Sequence, residues 1–312
     1  MYISTSVALL AAASAAQAFQ FSDVTAIASD LKRSVTLTAN SLLERAGGAQ
    51  SCPSVWTEIS TTLTAQFLAD GQCTDAARAA IRAAFHDCFN NGCDGSLILA
   101  NECTNTENTG LAQLCGQLGN LATQKKVGVA DLIQFAGAHA IKTCPGGPTV
   151  PVKVGRKDSS VAAPLGILPP ANIRGDDAIK LFASKGFSAI DLAALIGAHT
   201  VAKQFSTDPS RSGAALDSTV GTWDVKYYQE TLKKKAPFTL ESDKNIANNL
   251  VTGIPFKAFS LSKGAWAAAF VPAMQKMSMM GVDGRGLIDC TSALPGGSQK
   301  RDVKNSPIGD RW

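Results

Sequence analysis

The chain has 312 residues, 45% hydrophobic and 17% charged, with a formal net charge of +4. That length allows a large core in one substantial domain or in two lobes, and so small a charge makes no case for nucleic acid or membrane as a partner. Eight cysteines, spread from Cys52 to Cys290 without CxxC pairs, argue against a zinc cluster and for disulfides made in an oxidising compartment.

In chain order the first feature is a small and apolar run from Val7 to Ala18 that ends in Ala16-Gln17-Ala18, the pattern of a cleaved export signal. It is too short to span a bilayer, and Arg, Lys, Asp or Gly interrupts every later apolar run. The expectation is a secreted, extracellular protein with a signal peptide over 1–18. Residues 19–50 are polar and small and read either as a propeptide or as a flexible arm. The compact domain is expected over 51–290, with a tail over 291–312.

From Cys52 the apolar spacing is helical almost throughout. Val55, Ile59, Leu63 and Phe67 step by four, and a second helix runs from Ala76 to Phe89 with Thr74 or Asp75 as its cap. Further helices are predicted at about 111–124, 129–142, 174–185, 188–202, 223–233, 243–250 and 263–280, and the best strand is Val150 to Val154. Breaks fall at CPGGP (Cys144 to Pro148) and LPP (Leu168 to Pro170). Two of these helices echo each other: DLIQFAGAHA (Asp131 to Ala140) and DLAALIGAHT (Asp191 to Thr200) carry two of the three histidines. The echo stops at the helix ends, so it marks one helix type used twice rather than a solenoid.

The stretch RAAFHDCFNNGCDGS (Arg82 to Ser96) concentrates the chemistry. Arg82 and His86 stand at i and i+4, on one helix face, and can converge on one small ligand. Asp87, Asp94 and Ser96, with the turn carbonyls of Asn90 and Gly92, make an oxygen-rich set suited to a hard cation such as Ca²⁺. On their own these residues equally allow surface charges beside an ordinary turn.

Arg-x-x-x-His-Asp-Cys followed by Asn-Gly-Cys-Asp-Gly-Ser resembles the distal haem motif of the secretory plant-type peroxidase superfamily. VGRKDS (Val154 to Ser159), GAHTVAK at His199 and LDSTVGTWD (Leu216 to Asp224) resemble, in the family's order, its haem-edge segment, proximal histidine motif and proximal calcium loop. The resemblance covers about 52–290 and implies a mainly α haem-peroxidase fold, about ten helices in two lobes with haem between them, divided near 150. It implies haem b with His199 as the iron ligand and Asp243 as the carboxylate on that imidazole. His86 is then the general base and acid toward hydrogen peroxide, and Arg82 stabilises charge on the departing oxygen. Asn108 orients His86 and is linked to Glu102, while Phe85 and Pro169 flank the haem. Two Ca²⁺ ions are implied, a distal one at Asp87, Asn90, Gly92, Asp94 and Ser96, and a proximal one at Thr200, Asp217, Thr219, Thr222 and Asp224. Read without the resemblance, Asp243 caps the next helix and Glu102 and Asn108 lie in a solvated loop.

By the same resemblance Cys52 pairs with Cys290 and Cys73 with Cys144 as in fungal class II enzymes, and Cys88 with Cys93 as in plant class III enzymes, which leaves Cys103 with Cys115. The chain looks nearest the fungal group with a plant-like distal loop. The positions of the family's manganese carboxylates hold Asp75, Ala79 and Phe205, and that of the ligninolytic surface Trp holds Ala194. The expected activity is therefore oxidation of small phenolic donors at the haem edge by a monomer. Leu216 stands where the family usually has Phe, and His139 reads as a core or helix-end residue. Two rival readings remain: a non-catalytic calcium-stapled helical protein with weak or no haem binding, and a zinc site built from all three histidines.

Overall fold

Helix α1 (Val55–Phe67) buries Ile59, Leu63 and Phe67 of the expected stripe, while Val55 is half-buried and its neighbour Trp56 fills the core. The computed structural model describes residues 50–90 and 92–296; the expected signal peptide at 1–18, the expected propeptide or arm to residue 49 and the expected tail from 297 lie outside the described residues. After α1 a two-residue hairpin, β1 (Leu68–Ala69) against β2 (Gln72–Cys73), turns through Asp70-Gly71 with both φ values positive, at 52° and 71°. Asp-Gly is favoured in such turns because Gly bears no Cβ and Asp tolerates the left-handed region.

Helix α2 (Asp75–Asn90) begins after Thr74, whose Oγ1 accepts the Ala77 N–H at 3.3 Å. Thr74, not Asp75, is thus the cap. Small residues on its inner face let α5 (Val129–Thr143) lie close: a Cβ on Gly137 would sit 2.5 Å from that of Ala84. In α5 every residue but Lys142 is buried, so this helix is the centre of its half of the core. Between them come α3 (Ser96–Leu99), two 3₁₀ turns at Glu102–Thr104 and Thr106–Asn108, and α4 (Ala112–Lys125). Asp158 caps α5 by accepting the N–H groups of Val129 and Ala130, each at 2.9 Å. Asp131 in turn accepts from the N–H groups of Gly155 and Arg156 and pairs with the Arg156 guanidinium at 3.0 Å. The VGRKDS segment is therefore pinned to α5 from both directions.

The second half holds α6 (Gly175–Ser184), α7 (Ala189–Leu195), α8 (Lys226–Lys233), α9 (Glu241–Asn248), α10 (Gly253–Leu261) and α11 (Lys263–Met277). Its core is aromatic, with Trp223 and Trp266 stacked at 5.0 Å. The mainly α expectation holds, with local differences. The helix predicted over 188–202 is α only to Leu195 and continues as a 3₁₀ turn over Ile196–Val201. The strand is only Lys153–Val154, paired antiparallel with Ile288–Asp289. Helix α10 has no predicted counterpart, because Ile254 and Leu261 point to solvent and erase its amphipathic stripe. Four disulfides, Cys52–Cys290, Cys73–Cys144, Cys88–Cys93 and Cys103–Cys115, use all eight cysteines. Among the described residues no single helix is long and apolar enough to cross a membrane.

Candidate active site

A cavity of about 580 Å³ has Arg82, Phe85 and His86 from α2 in one wall and His199 from the 3₁₀ turn in another, with Pro169 and Leu216 also lining it. The rest is largely apolar, with Leu168, Phe182 and Met274 among its lining. Phe85 stacks on Phe89 at 4.8 Å, which fixes the ring.

On the α2 side, His86 Nδ1 lies 2.6 Å from Asn108 Oδ1. An amide oxygen only accepts, so Nδ1 carries the proton and Nε2 keeps its lone pair. That lone pair accepts from Arg82 Nε at 3.1 Å, and the guanidinium also donates to the carbonyls of Thr109 and Glu107 at 2.6 and 2.8 Å. Burial, then the charge of Arg82, lowers the His86 pKa to about 3 against the opposing effect of the Asn108 bond. Asn108 donates to Glu102, but to its main-chain carbonyl, at 2.8 Å. The Glu102 carboxylate instead accepts the Ala163 N–H at 2.8 Å and the Asn90 amide at 3.4 Å. Glu102 and Asn108 are buried, so they do not form a solvated loop.

On the other side, His199 Nδ1 donates to the buried Asp243 Oδ1 at 3.0 Å, leaving Nε2 free as a ligand atom. The second oxygen of Asp243 accepts the Leu240 N–H at 3.3 Å at the start of α9. Both readings of Asp243 are thus realised in one side chain. An imidazole nitrogen turned to an apolar cleft that also holds His86 and the Arg82 guanidinium fits haem held through His199.

The two expected calcium sets also fit a divalent cation. Asp87 accepts from the Gly95 and Leu97 N–H groups at 3.2 and 3.4 Å. Even so, burial, with the Asp94 and Glu102 charges adding, pushes its carboxyl up to about 8. Asp94 Oδ1 accepts the Ser96 N–H at 3.0 Å, Gly92 takes a φ of 140°, and Asn90 Oδ1 is buried without a partner among the described residues. The Asn90 carbonyl ends α2 rather than a turn, and Lys185 Nζ donates to it at 3.2 Å. In the proximal set Thr200 Oγ1 donates to Asp217 at 2.6 Å, and Asp217 also accepts the Thr219 N–H at 2.9 Å. Burial, with Asp224 and Glu230, pushes Asp217 up to about 6. Thr219 Oγ1 is buried and unpartnered; Thr222 N–H donates to the Thr219 carbonyl at 2.8 Å, and Asp224 accepts the Lys226 N–H at 2.8 Å. Carboxylates raised first by burial and then by neighbouring like charges, beside idle oxygens, are what a cation would relieve.

The echoing histidines separate here. His139 is fully buried, with Nε2 against the Ser60 carbonyl at 2.9 Å, Nδ1 against Thr143 Oγ1 at 3.1 Å, and its ring beside Phe67 and Phe135. It is a core residue. Among the described residues no three His, Cys, Asp or Glu side chains form a metal cluster, so the three histidines make no shared site. Tyr227 escaped the sequence reading: it packs edge-on against His199 at 5.6 Å, and its hydroxyl is buried without a partner of good geometry. Burial, then the Asp243 charge, holds that phenol well above its ordinary range. No motif marks it, because the contact joins helices distant in sequence.

The chain matches the family model described as Peroxidase over residues 59–260. It is 32% identical over 260 residues to a low-redox potential peroxidase of Taiwanofungus camphoratus, covering 77% of each chain. Manganese peroxidase 3 of Phlebia radiata is 28% identical over 263 residues, 73% of each chain. A peroxidase of Arthromyces ramosus is 26% identical over 292 residues, 80% of each. A cleft with a histidine, a guanidinium and a carboxylate-bound second histidine thus lies in a sequence shared with fungal peroxidases over most of its length: the chain belongs to the plant-type peroxidase family and is a haem peroxidase, an oxidoreductase that reduces hydrogen peroxide with electrons from a reducing substrate.

Proposed function

We propose that the chain is a secreted generic peroxidase that oxidises small phenolic donors by one-electron steps, using His86 and Arg82 toward peroxide and His199 to hold haem. The observation that carries this reading is the 2.6 Å bond from His86 Nδ1 to Asn108, which makes Nε2 the basic atom in the cleft. His86 Nε2 takes a proton from hydrogen peroxide and returns it to the departing oxygen, and Arg82 turns from Nε2 toward the charge developing there. Haem, once bound, supplies the redox chemistry. Asp243 holds the His199 ring and keeps the proton on Nδ1. Two phenolic donors each give one electron and one proton, so peroxide leaves as two waters.

Several features support the plain donor range. Asp75 is paired with both Arg78 and Lys203 at 2.8 Å, so the single retained carboxylate of the manganese positions is already neutralised. Ala194 is buried, and among the described residues so are Trp56, Trp223 and Trp266, which argues against a surface indole as electron relay within them. Four disulfides support export. Two calcium ions, a signal peptide at 1–18, a propeptide or arm to residue 50, distal and proximal lobes meeting near 150, and a monomeric state complete the proposal.

The test is reconstitution with haem followed by rapid mixing with peroxide. A ferric haem spectrum that changes within seconds, and turnover of a simple phenol but not of Mn²⁺, is the expected result. A folded protein that binds no haem, or binds it without responding to peroxide, supports the non-catalytic alternative.

A further inference from the structure

The Cys103–Cys115 disulfide joins the 3₁₀ turn at Glu102–Thr104 to the first turn of α4, with the two Cα atoms 6.5 Å apart. The ring it closes supplies three hydrogen-bond partners of the reacting pair. Asn108 Oδ1 accepts from His86 Nδ1 at 2.6 Å, and the carbonyls of Glu107 and Thr109 accept from the Arg82 guanidinium at 2.8 and 2.6 Å. With both of its terminal nitrogens held there, the guanidinium aims Nε at His86 Nε2, 3.1 Å away. Asn108 is oriented in turn by its bond to the Glu102 carbonyl, next to Cys103, at 2.8 Å.

The ring has little else to keep its shape. From Thr104 to Gly110 only Asn108 is buried, so this stretch brings no apolar side chain to the core. Its own bonds are local turns, from the Asn108 N–H to the Asn105 carbonyl at 2.9 Å and from the Leu111 N–H to the Asn108 carbonyl at 3.0 Å. On its exposed side the Glu107 carboxylate accepts the Gly166 N–H at 3.3 Å. Order comes from the two ends. At one end the buried Glu102 carboxylate accepts the Ala163 N–H, and at the other α4 buries Leu114, Leu118 and Leu121. The disulfide ties these anchors together and removes much of the freedom of the polar stretch between them. A segment with so few buried apolar contacts opens locally when such a tie is lost.

We propose that Cys103–Cys115 is a positioning disulfide for the peroxide reaction: it fixes the 104–114 segment so that Asn108, Glu107 and Thr109 hold the His86 ring and the Arg82 guanidinium in their reacting orientation. The inference rests on the peroxidase reading above and adds to it a covalent support for the two groups that meet peroxide. Neither cysteine lines the cavity. Their effect passes through two main-chain carbonyls and one amide, and a misplacement of about 1 Å in such supports costs a reaction up to about a hundredfold.

The test compares two serine pairs in the holoenzyme, Cys103→Ser/Cys115→Ser and Cys52→Ser/Cys290→Ser. The second removes a disulfide between residues 238 positions apart, neither of which lines the cavity. Both pairs are expected to lower Tm, but only the first should slow the reaction with peroxide, by about ten- to a hundredfold in stopped flow. Only the first should also weaken fluoride binding to the ferric holoenzyme, by about tenfold in a spectral titration, because Arg82 holds an anion in the cleft. Hydrogen exchange read by mass spectrometry should quicken over residues 104–110 in that variant alone. Parental peroxide rate and fluoride affinity in the first pair, or equal losses in both pairs, overturn the proposal. Should the first pair not fold, two glycines inserted between Thr104 and Asn105 slacken the ring with the disulfide intact, and the same losses of rate and fluoride affinity are required. A parent holoenzyme that ignores peroxide sinks the peroxidase reading, whereas unchanged exchange over 104–110 sinks the role of the disulfide alone.

Discussion

Asn108 Oδ1 accepts from His86 Nδ1 at 2.6 Å, and this one bond sets which ring nitrogen can take a proton. Replacing His86 with Leu should slow the reaction with peroxide by about 10²- to 10⁴-fold, with haem still bound. Asn108→Val frees the ring and should give a smaller loss of the same kind. Stopped-flow mixing with peroxide measures both; a His86→Leu variant as fast as the parent defeats the assignment.

The pH dependence follows from the same site. Because burial and then the Arg82 charge hold His86 at about 3, its base form persists through mildly acidic solution. The peroxide rate should stay level from pH 7 to about 4 and fall only as pH approaches 3. Arg82→Leu removes one of the two lowering causes, so its slower reaction should have an acid limb displaced to higher pH. A displacement to lower pH would contradict this electrostatic account.

Asp243 bears on the other face. In Asp243→Asn the amide oxygen can still serve one of its two bonds, to Leu240 N–H or to His199, but the anion beside the imidazole is gone. The His199 ring becomes less electron-donating, and the reduction potential of the bound iron should rise. Spectroelectrochemistry reads the shift; an unchanged potential speaks against this role for Asp243.

Calcium removal should destabilise the fold in a pH-dependent way. Without the ion, Asp87 at about 8 and Asp217 at about 6 hold protons more tightly folded than unfolded, where the value is near 3.8. Their contribution is therefore complete below about pH 4 and is lost as pH rises through 6 to 8. The drop in Tm caused by EGTA should be larger at pH 8 than at pH 5, measured by calorimetry. An equal drop at both, or none, would place the cation elsewhere.

His139 gives the opposite slope without touching activity. Burial lowers its pKa to about 4 from 6.5, so the neutral ring stabilises the fold above pH 6.5 and that contribution fades as pH falls toward 4. His139→Val should keep the haem spectrum and turnover, lose about 1–3 kcal/mol at neutral pH through the unpaired Ser60 and Thr143 groups, and show a weaker acid dependence of Tm. Loss of turnover in a folded variant would return His139 to the site.

Much of the site was legible because its parts are local. Arg82 and His86 share one helix face by spacing alone, Asp87 to Ser96 is one loop, and the His199 and Asp217 segments carry recognisable patterns in a fixed order. The echo of the two Gly-Ala-His segments was legible too, as one helix type used twice with His139 a core or helix-end residue, but not what each helix packs against. Gly137 and Gly197 each admit a close neighbour, Ala84 in one case and Tyr228 with Trp266 in the other, and the two aspartates each occupy the third position of a helix.

What the sequence by itself determined about this protein is the helical plan, and it supplied the candidate reacting groups, since both follow from periodicity and from side-chain chemistry at short range. Tertiary structure alone decided the partners of those groups. It set Tyr227 against His199, sent the Glu102 carboxylate to Ala163 rather than to Asn108, and gathered Arg78 and Lys203 around Asp75. Burial, the field of distant charges and the meeting of separate helices are properties of the folded chain, and they tune His86 and the two carboxylate-rich loops.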